Sequence, residues 1–135
     1  MADEIRVPIE RDDDVVVARS KARELATELG FAGTDLTLLA TAISEIARNI
    51  TAYATRGEVC IEAVRRGARR GVKVVASDSG PGIADVEMAL RDGYTSGKGL
   101  GLGLPGARRL MDEFDIDTEV GRGTRITMTK WGRDQ

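Results

Sequence analysis

Apolar positions recur at every second residue near the start of the chain, with Ile5, Val7 and Ile9 set against Arg6 and Pro8. This alternation predicts a strand over 5–9, and Pro8, lacking an N–H, puts it at a sheet edge. The period then lengthens. Val15, Ala18, Ala22, Leu25, Ala26 and Leu29 follow helical spacing behind the acidic start Asp12 to Asp14, and Gly30 marks the stop. A second helix is predicted from a cap at Thr34 to about Tyr53, its apolar arc running Leu36, Leu39, Ala42, Ile43, Ile46, Ala47, Ile50 and Tyr53. Glu58 to Val64 reads as a strand with either Val59, Ile61 and Ala63 or Cys60 and Val64 inward. Arg65 to Gly71 reads as a basic hairpin turn, and Val72 to Ser77 as a more central strand. Asp85 to Leu90 can form a short helix, and the polar, glycine-flanked Arg91 to Lys98 has the character of a lid. Pro105 suits the first turn of a third main helix, with Ala107, Leu110, Met111 and Phe114 on its apolar face. Strands over Ile116 to Val120 and Thr124 to Trp131, joined through Gly121-Arg122-Gly123, complete the pattern, with Trp131 covering an edge of the core.

The order β-α-α-β-β-(lid)-α-β-β predicts an α+β fold: a two-layer sandwich of a mixed, largely antiparallel sheet with helices on one face. At 135 residues the chain is expected to be a single domain, 1–135. A net charge of −2 gives no pointer to nucleic acid or an anionic membrane surface. No apolar run approaches membrane-spanning length and the start shows no signal-peptide pattern, so a cytoplasmic location is expected. The one cysteine, Cys60, can form no internal disulfide and reads as a small core residue. The absence of histidine removes His bases, His metal ligands and phosphohistidine from consideration.

Chemistry concentrates between Val74 and Leu104. Asp78 ends an apolar run and precedes Gly80 and Gly82; Gly97, Gly99, Gly101 and Gly103 then alternate into a helix. An acid at a strand end can accept a hydrogen bond from an exocyclic amine. Glycines let backbone amides approach a ligand, and a helix start offers free N–H groups to phosphates. Together these read as a nucleotide site, base at Asp78 and phosphates at Gly97 to Gly103. On the second helix, Glu45 and Asn49 lie one turn apart at the border of the apolar arc, with Ser44, Arg48 and Thr51 further out. They could line a pocket; the plainer alternative is a solvated surface pair.

Gly93 to Gly99 is one residue short of a Walker A loop and has Gly where the Mg²⁺-binding hydroxyl belongs. A Rossmann fingerprint needs a strand directly before the glycines, and the eukaryotic kinase signatures are absent. Four boxes in order, Glu45-x-x-x-Asn49, Asp78-x-Gly80-x-Gly82, GKGLGLG and Gly121-x-Gly123-Thr124, resemble the GHKL (Bergerat-type) ATPase superfamily over essentially the whole chain. TAISEIARNI, ASDSGPGI, GLGLPGARRLMDEF and GRGTRITMTKW are similar to the RsbT-type serine/threonine switch kinases of the bacterial stressosome.

The resemblance implies ATP and Mg²⁺ as cofactors. Asp78 would accept the adenine amino group, with Gly80, Gly82 and Ile83 beside the base and Thr124 supporting Asp78 or an ordered water. Asn49 would hold Mg²⁺. Gly97, Lys98, Gly99, Leu100, Gly101 and Gly103 would wrap the phosphates, Lys98 adding a charge where family members can carry a small residue. Glu45 would serve as the base for an acceptor serine or threonine. The implied partners are STAS-domain antagonist and scaffold proteins of the RsbS and RsbR kind and an RsbU-like PP2C phosphatase. Two other outputs stay open: an anti-sigma factor of the SpoIIAB/RsbW kind that sequesters a sigma factor, and a non-catalytic ATP-binding adaptor.

Overall fold

Val7, Val59, Ala76, Ile126 and Ile116 lie opposite one another across five strands and form one apolar row on one side of the sheet. A computed structural model describes residues 4–54, 56–83 and 103–132. Its elements are β1 (Glu4–Ile9), α1 (Asp12–Glu28), α2 (Gly33–Tyr53), β2 (Gly57–Arg66), β3 (Arg69–Asp78), α3 (Gly103–Leu110), β4 (Glu113–Glu119) and β5 (Gly123–Trp131). The strand order is β1-β2-β3-β5-β4, with β1 at an edge as Pro8 predicts. The expected two-layer α+β sandwich forms, and every pairing between the described strands is antiparallel. β4 runs in the direction of β3, but β5 lies between them, so the parallel element of a mixed sheet does not arise there.

The helices pack on the face that carries the apolar row. α2 is the middle helix, in contact with α1 on one side and α3 on the other. Leu39, Ile43, Ile46 and Ile50 on α2 are fully buried, or nearly so, against Val59, Ile61, Val74 and Met128 of the sheet. Each such side chain contributes about 1.5–3 kcal/mol on leaving water, which makes α2 the main strut of the core.

Local chemistry sets the ends. The Asp14 carboxylate accepts the N–H groups of Glu10 and Arg11 at 2.8 and 3.1 Å and closes the start of α1. Gly30, at φ +89°, ends it. α2 begins one residue before Thr34: Leu36 N–H donates to Ala32 O at 2.9 Å, so Ala32 is the cap and Thr34 sits inside the first turn. α3 stops at Leu110, and Phe114, expected on that helix, belongs to β4 and packs against the core from the sheet.

The other sheet face carries Glu62, Lys73, Asp115, Asp117 and Arg125, and there the remaining differences from expectation lie. The basic turn is only Gly67-Ala68, Gly67 having φ +61°; the arginines are strand residues, paired Arg65 with Arg70 and Arg66 with Arg69. Arg66 is held by Glu113 at 3.0 Å and stacks 4.7 Å from the centre of the Trp131 ring. Trp131 lies over Gly71 on this face, where a Cβ on Gly71 would come within 2.7 Å of its ring, so it does not cover the helix–sheet core. Cys60 also faces this side, half-buried, and its thiol donates to Glu58 at 3.2 Å. Loss of hydration first, and Glu58 second, push that thiol up to about 11.

Candidate nucleotide site

Asp78 stands at the end of β3 in a cross-strand row with Gly57, Thr124 and Thr118, on the helix-bearing side of the sheet. Its Oδ1 accepts the Gly80 N–H at 2.8 Å, which fixes the carboxylate at the turn. Among the described residues its Oδ2 takes part in no hydrogen bond, and the side chain is half-buried. The segment from Asp78 to Ile83 is clamped on the β4–β5 hairpin. Gly121 N–H donates to Pro81 O and Ile83 N–H donates to the Thr118 hydroxyl, both at 2.9 Å.

The glycines make this clamp possible. Gly82 and Gly123 have φ +79° and +115°, and a Cβ on either would run into backbone, of Glu119 and of Asp78 respectively. A Cβ on Gly80 would meet the Ala54 side chain at 2.8 Å. The crowding at these positions comes from the protein's own chain, not from space reserved for a base alone.

Ala54 directly follows α2, so these contacts also bring in the second motif. A Cβ on Gly57 would approach Ile50 at 2.9 Å and Asp78 at 3.0 Å. The last turns of α2 therefore cross the Asp78 end of the sheet. Nine residues back along the same helix, about 13 Å at the helical rise, is Glu45. It is only 5% exposed, and its Oε2 accepts from Arg48 Nη1 at 3.0 Å. Asn49 is half-buried one turn on. This burial is incompatible with a solvated surface pair. Ser44, expected further out, is buried as well, its hydroxyl donating to Ala40 O at 3.0 Å. Arg48 reaches inward to Glu45 while lining a cleft of about 330 Å³ between α2 and the start of α1.

The structure thus brings together Asp78, Gly80, Gly82, Ile83 and Thr124, and sets Asn49 and Glu45 along the helix that crosses them. Gly103 opens α3 beside α2. Gly97, Lys98, Gly99, Leu100 and Gly101 lie outside the described residues, as do the helix expected over 85–90 and the lid over 91–98. Thr118 and Arg48 were not expected at the site. The alternation Phe114, Ile116, Thr118 was the available signal for Thr118.

Residues 9–130 match the family model described as the histidine kinase-like ATPase domain. The chain belongs to this family. Within the histidine kinase-like ATPase family it is similar to the serine/threonine-protein kinase RsbT of Bacillus subtilis, 46% identical over 98% of this chain and 100% of that one. It is also similar to an anti-sigma F factor of Clostridium kluyveri, 31% identical over 90% and 89% of the two chains. The fold matches the RsbU and RsbW domains of a Mycobacterium tuberculosis protein, with a TM-score of 0.64, 21% identity, and coverage of 99% of this chain and 33% of that one. The chain is a protein serine/threonine kinase built on this ATPase domain, of the partner-switching kind. Among the described residues no helix is long and apolar enough to cross a membrane.

Proposed function

We propose that this chain is a single-domain, cytoplasmic switch kinase: it phosphorylates a serine or threonine on STAS-domain stressosome proteins of the RsbS and RsbR kind, then exchanges partner to activate an RsbU-like PP2C phosphatase. The observation that supports the catalytic part is the crossing of α2 over the Asp78 end of the sheet, with Glu45 and Asn49 on the helix that crosses it.

The residues fit ATP. Asp78, turned by its bond to Gly80 N–H, offers an acceptor to the adenine amino group. Among the described residues no group of three or more Asp, Glu, His or Cys could hold a metal. Asn49 would hold Mg²⁺ through its amide oxygen, a hard ligand suited to that ion. When bound, MgATP supplies the phosphoryl group and neutralises its charge. Glu45, buried one turn from Asn49, takes the proton of the acceptor hydroxyl as it attacks. Arg48 holds one oxygen of that carboxylate and so fixes its direction.

Mass spectrometry of an RsbS-like STAS protein, after incubation with this chain, ATP and Mg²⁺, tests the proposal. A gain of one phosphate on serine or threonine is expected, and an unmodified STAS protein defeats it. The likeness to anti-sigma F factors favours one second reading, in which the main output is sequestration of a sigma factor. Capture from the source cell separates them: a STAS scaffold or phosphatase in one case, a sigma factor in the other.

A further inference from the structure

Thr118 lies in edge strand β4 opposite Thr124 of β5. Its hydroxyl oxygen is 2.9 Å from each of three atoms: the Ile83 amide nitrogen, the Gly123 carbonyl oxygen and the Thr124 hydroxyl oxygen. The direction of every bond follows from the groups involved. A hydroxyl has one hydrogen and two lone pairs. The Ile83 N–H can only donate, so Thr118 accepts there. The Gly123 carbonyl can only accept, so the one hydrogen of Thr118 goes to it. In the remaining contact Thr124 must then donate. Thr118 is saturated, and the only hydrogen of Thr124 is committed inside the protein. Thr124 has nothing but lone pairs to offer elsewhere.

Thr124 is the direct cross-strand neighbour of Asp78, on the same side of the sheet. An ionised carboxylate is likewise acceptor-only. We infer that Thr118, acting through Thr124, sets the base selectivity of the nucleotide site by making it a pair of acceptors with no donor. This rests on the reading of the Asp78 end as the base pocket. An exocyclic amine has two N–H bonds. Asp78 takes one and Thr124, directly or through a water, takes the other. A purine with a carbonyl at that position brings an acceptor to two acceptors and leaves its oxygen unpaired. If Thr124 could turn its hydrogen outward, it would donate to that oxygen and the selectivity would shrink. Thr118 is a positioning residue, working through Thr124 and Ile83.

The test is calorimetric titration of the chain, with Mg²⁺, against ATP and inosine triphosphate, which differ at the 6-position. Wild type is expected to favour ATP. Thr118→Val keeps the side-chain shape and removes the hydroxyl, and should narrow the ATP preference about tenfold, the worth of one such hydrogen bond. Thr118→Ser should hold the wild-type ratio. A role confined to shaping the loop weakens both nucleotides alike, so an unchanged ratio in Thr118→Val overturns the inference. If valine disturbs β4, Thr124→Val removes the acceptor itself and should narrow the ratio too; a full ratio there overturns the inference equally. Amide exchange at Ile83, without nucleotide, should be faster in Thr118→Val than in Thr118→Ser. Failure of the underlying reading has a different appearance. Wild type itself would then bind ATP no better than inosine triphosphate, or bind neither, and the inference falls with it.

Discussion

The Glu45 carboxylate accepts a 3.0 Å hydrogen bond from the Arg48 guanidinium, one turn along α2, with the two side chains 4% and 31% exposed. The pair is unequal. Glu45 is shut away from water, whereas Arg48 keeps one side in an open cleft. A carboxylate in that position is oriented by its partner and shielded from water.

Glu45→Ala should separate chemistry from binding. Nucleotide affinity stays nearly unchanged, while transfer to the partner slows by about 10²–10⁴-fold, the range for a general base. Asn49→Ala should weaken MgATP binding and abolish transfer together. Single-turnover phosphorylation beside nucleotide titrations on both variants checks this, and a wild-type rate in Glu45→Ala removes the residue from the catalytic set.

Asp78→Asn keeps the size of the side chain and its acceptor toward Gly80 N–H. The loss is one charge-assisted bond to the base, about 1.5–3 kcal/mol of ATP affinity. Calorimetry and a melting curve together decide: weaker binding at an unchanged melting temperature is the expected pair of results.

Gly82→Ala should be costly to the fold as well as the site. The position combines φ +79° with backbone of Glu119 where a Cβ would go. Strain of this kind costs on the order of 1–3 kcal/mol. The denaturant midpoint should fall, and so should ATP affinity, because the loop shifts away from the β4–β5 hairpin. Wild-type values for both measurements would show that the loop gives way freely.

Acid should expose the contribution of Glu113. The Trp131 indole N–H, donating at 2.8 Å, and then Arg66 hold this carboxyl below its ordinary value of 4.5. A carboxylate depressed in the folded state adds stability that is complete above the ordinary value and is lost as pH falls through the folded one. The gap in denaturant midpoint between wild type and Glu113→Gln should therefore be constant above about pH 4.5 and close on the acid side. A gap that persists at low pH would assign it to packing of Trp131 alone.

Much of this architecture was legible in the chain. Alternation located the strands, and the spacing of Glu45 and Asn49, with Asp78 before two glycines, located the candidate site. The helical wheel gave an angle for Glu45 and Ser44 but not the neighbours of α2. Only a middle helix, flanked by α1 and α3, buries residues that far round its circumference. Thr118 was obscured because β4 starts at Glu113, earlier than Ile116, the first residue assigned to it. The four arginines are exposed, as expected, but like charges in sequence do not show where a turn ends, and all four are strand residues. The partners of Arg66 and Arg69, Glu113 and Trp131, come from strands distant in sequence, as does the register that turns Cys60 away from the core.

The strand order has a consequence for synthesis. β5 follows every other described element in sequence, yet it takes a central place, between β3 and β4. Until it leaves the ribosome, β3 has a bare edge of unmet N–H and C=O groups, and β4 has no neighbour at all. The glycine loop after Asp78 also lacks its clamp, since Gly123 and Thr124 arrive with β5. A chain made only as far as β4 contains every residue of the β2–β3 hairpin but lacks the strand that sets Thr124 beside Asp78. Pairing of β5 with β3 and β4 therefore completes the sheet and the Asp78 loop together, with the last described strand to be made.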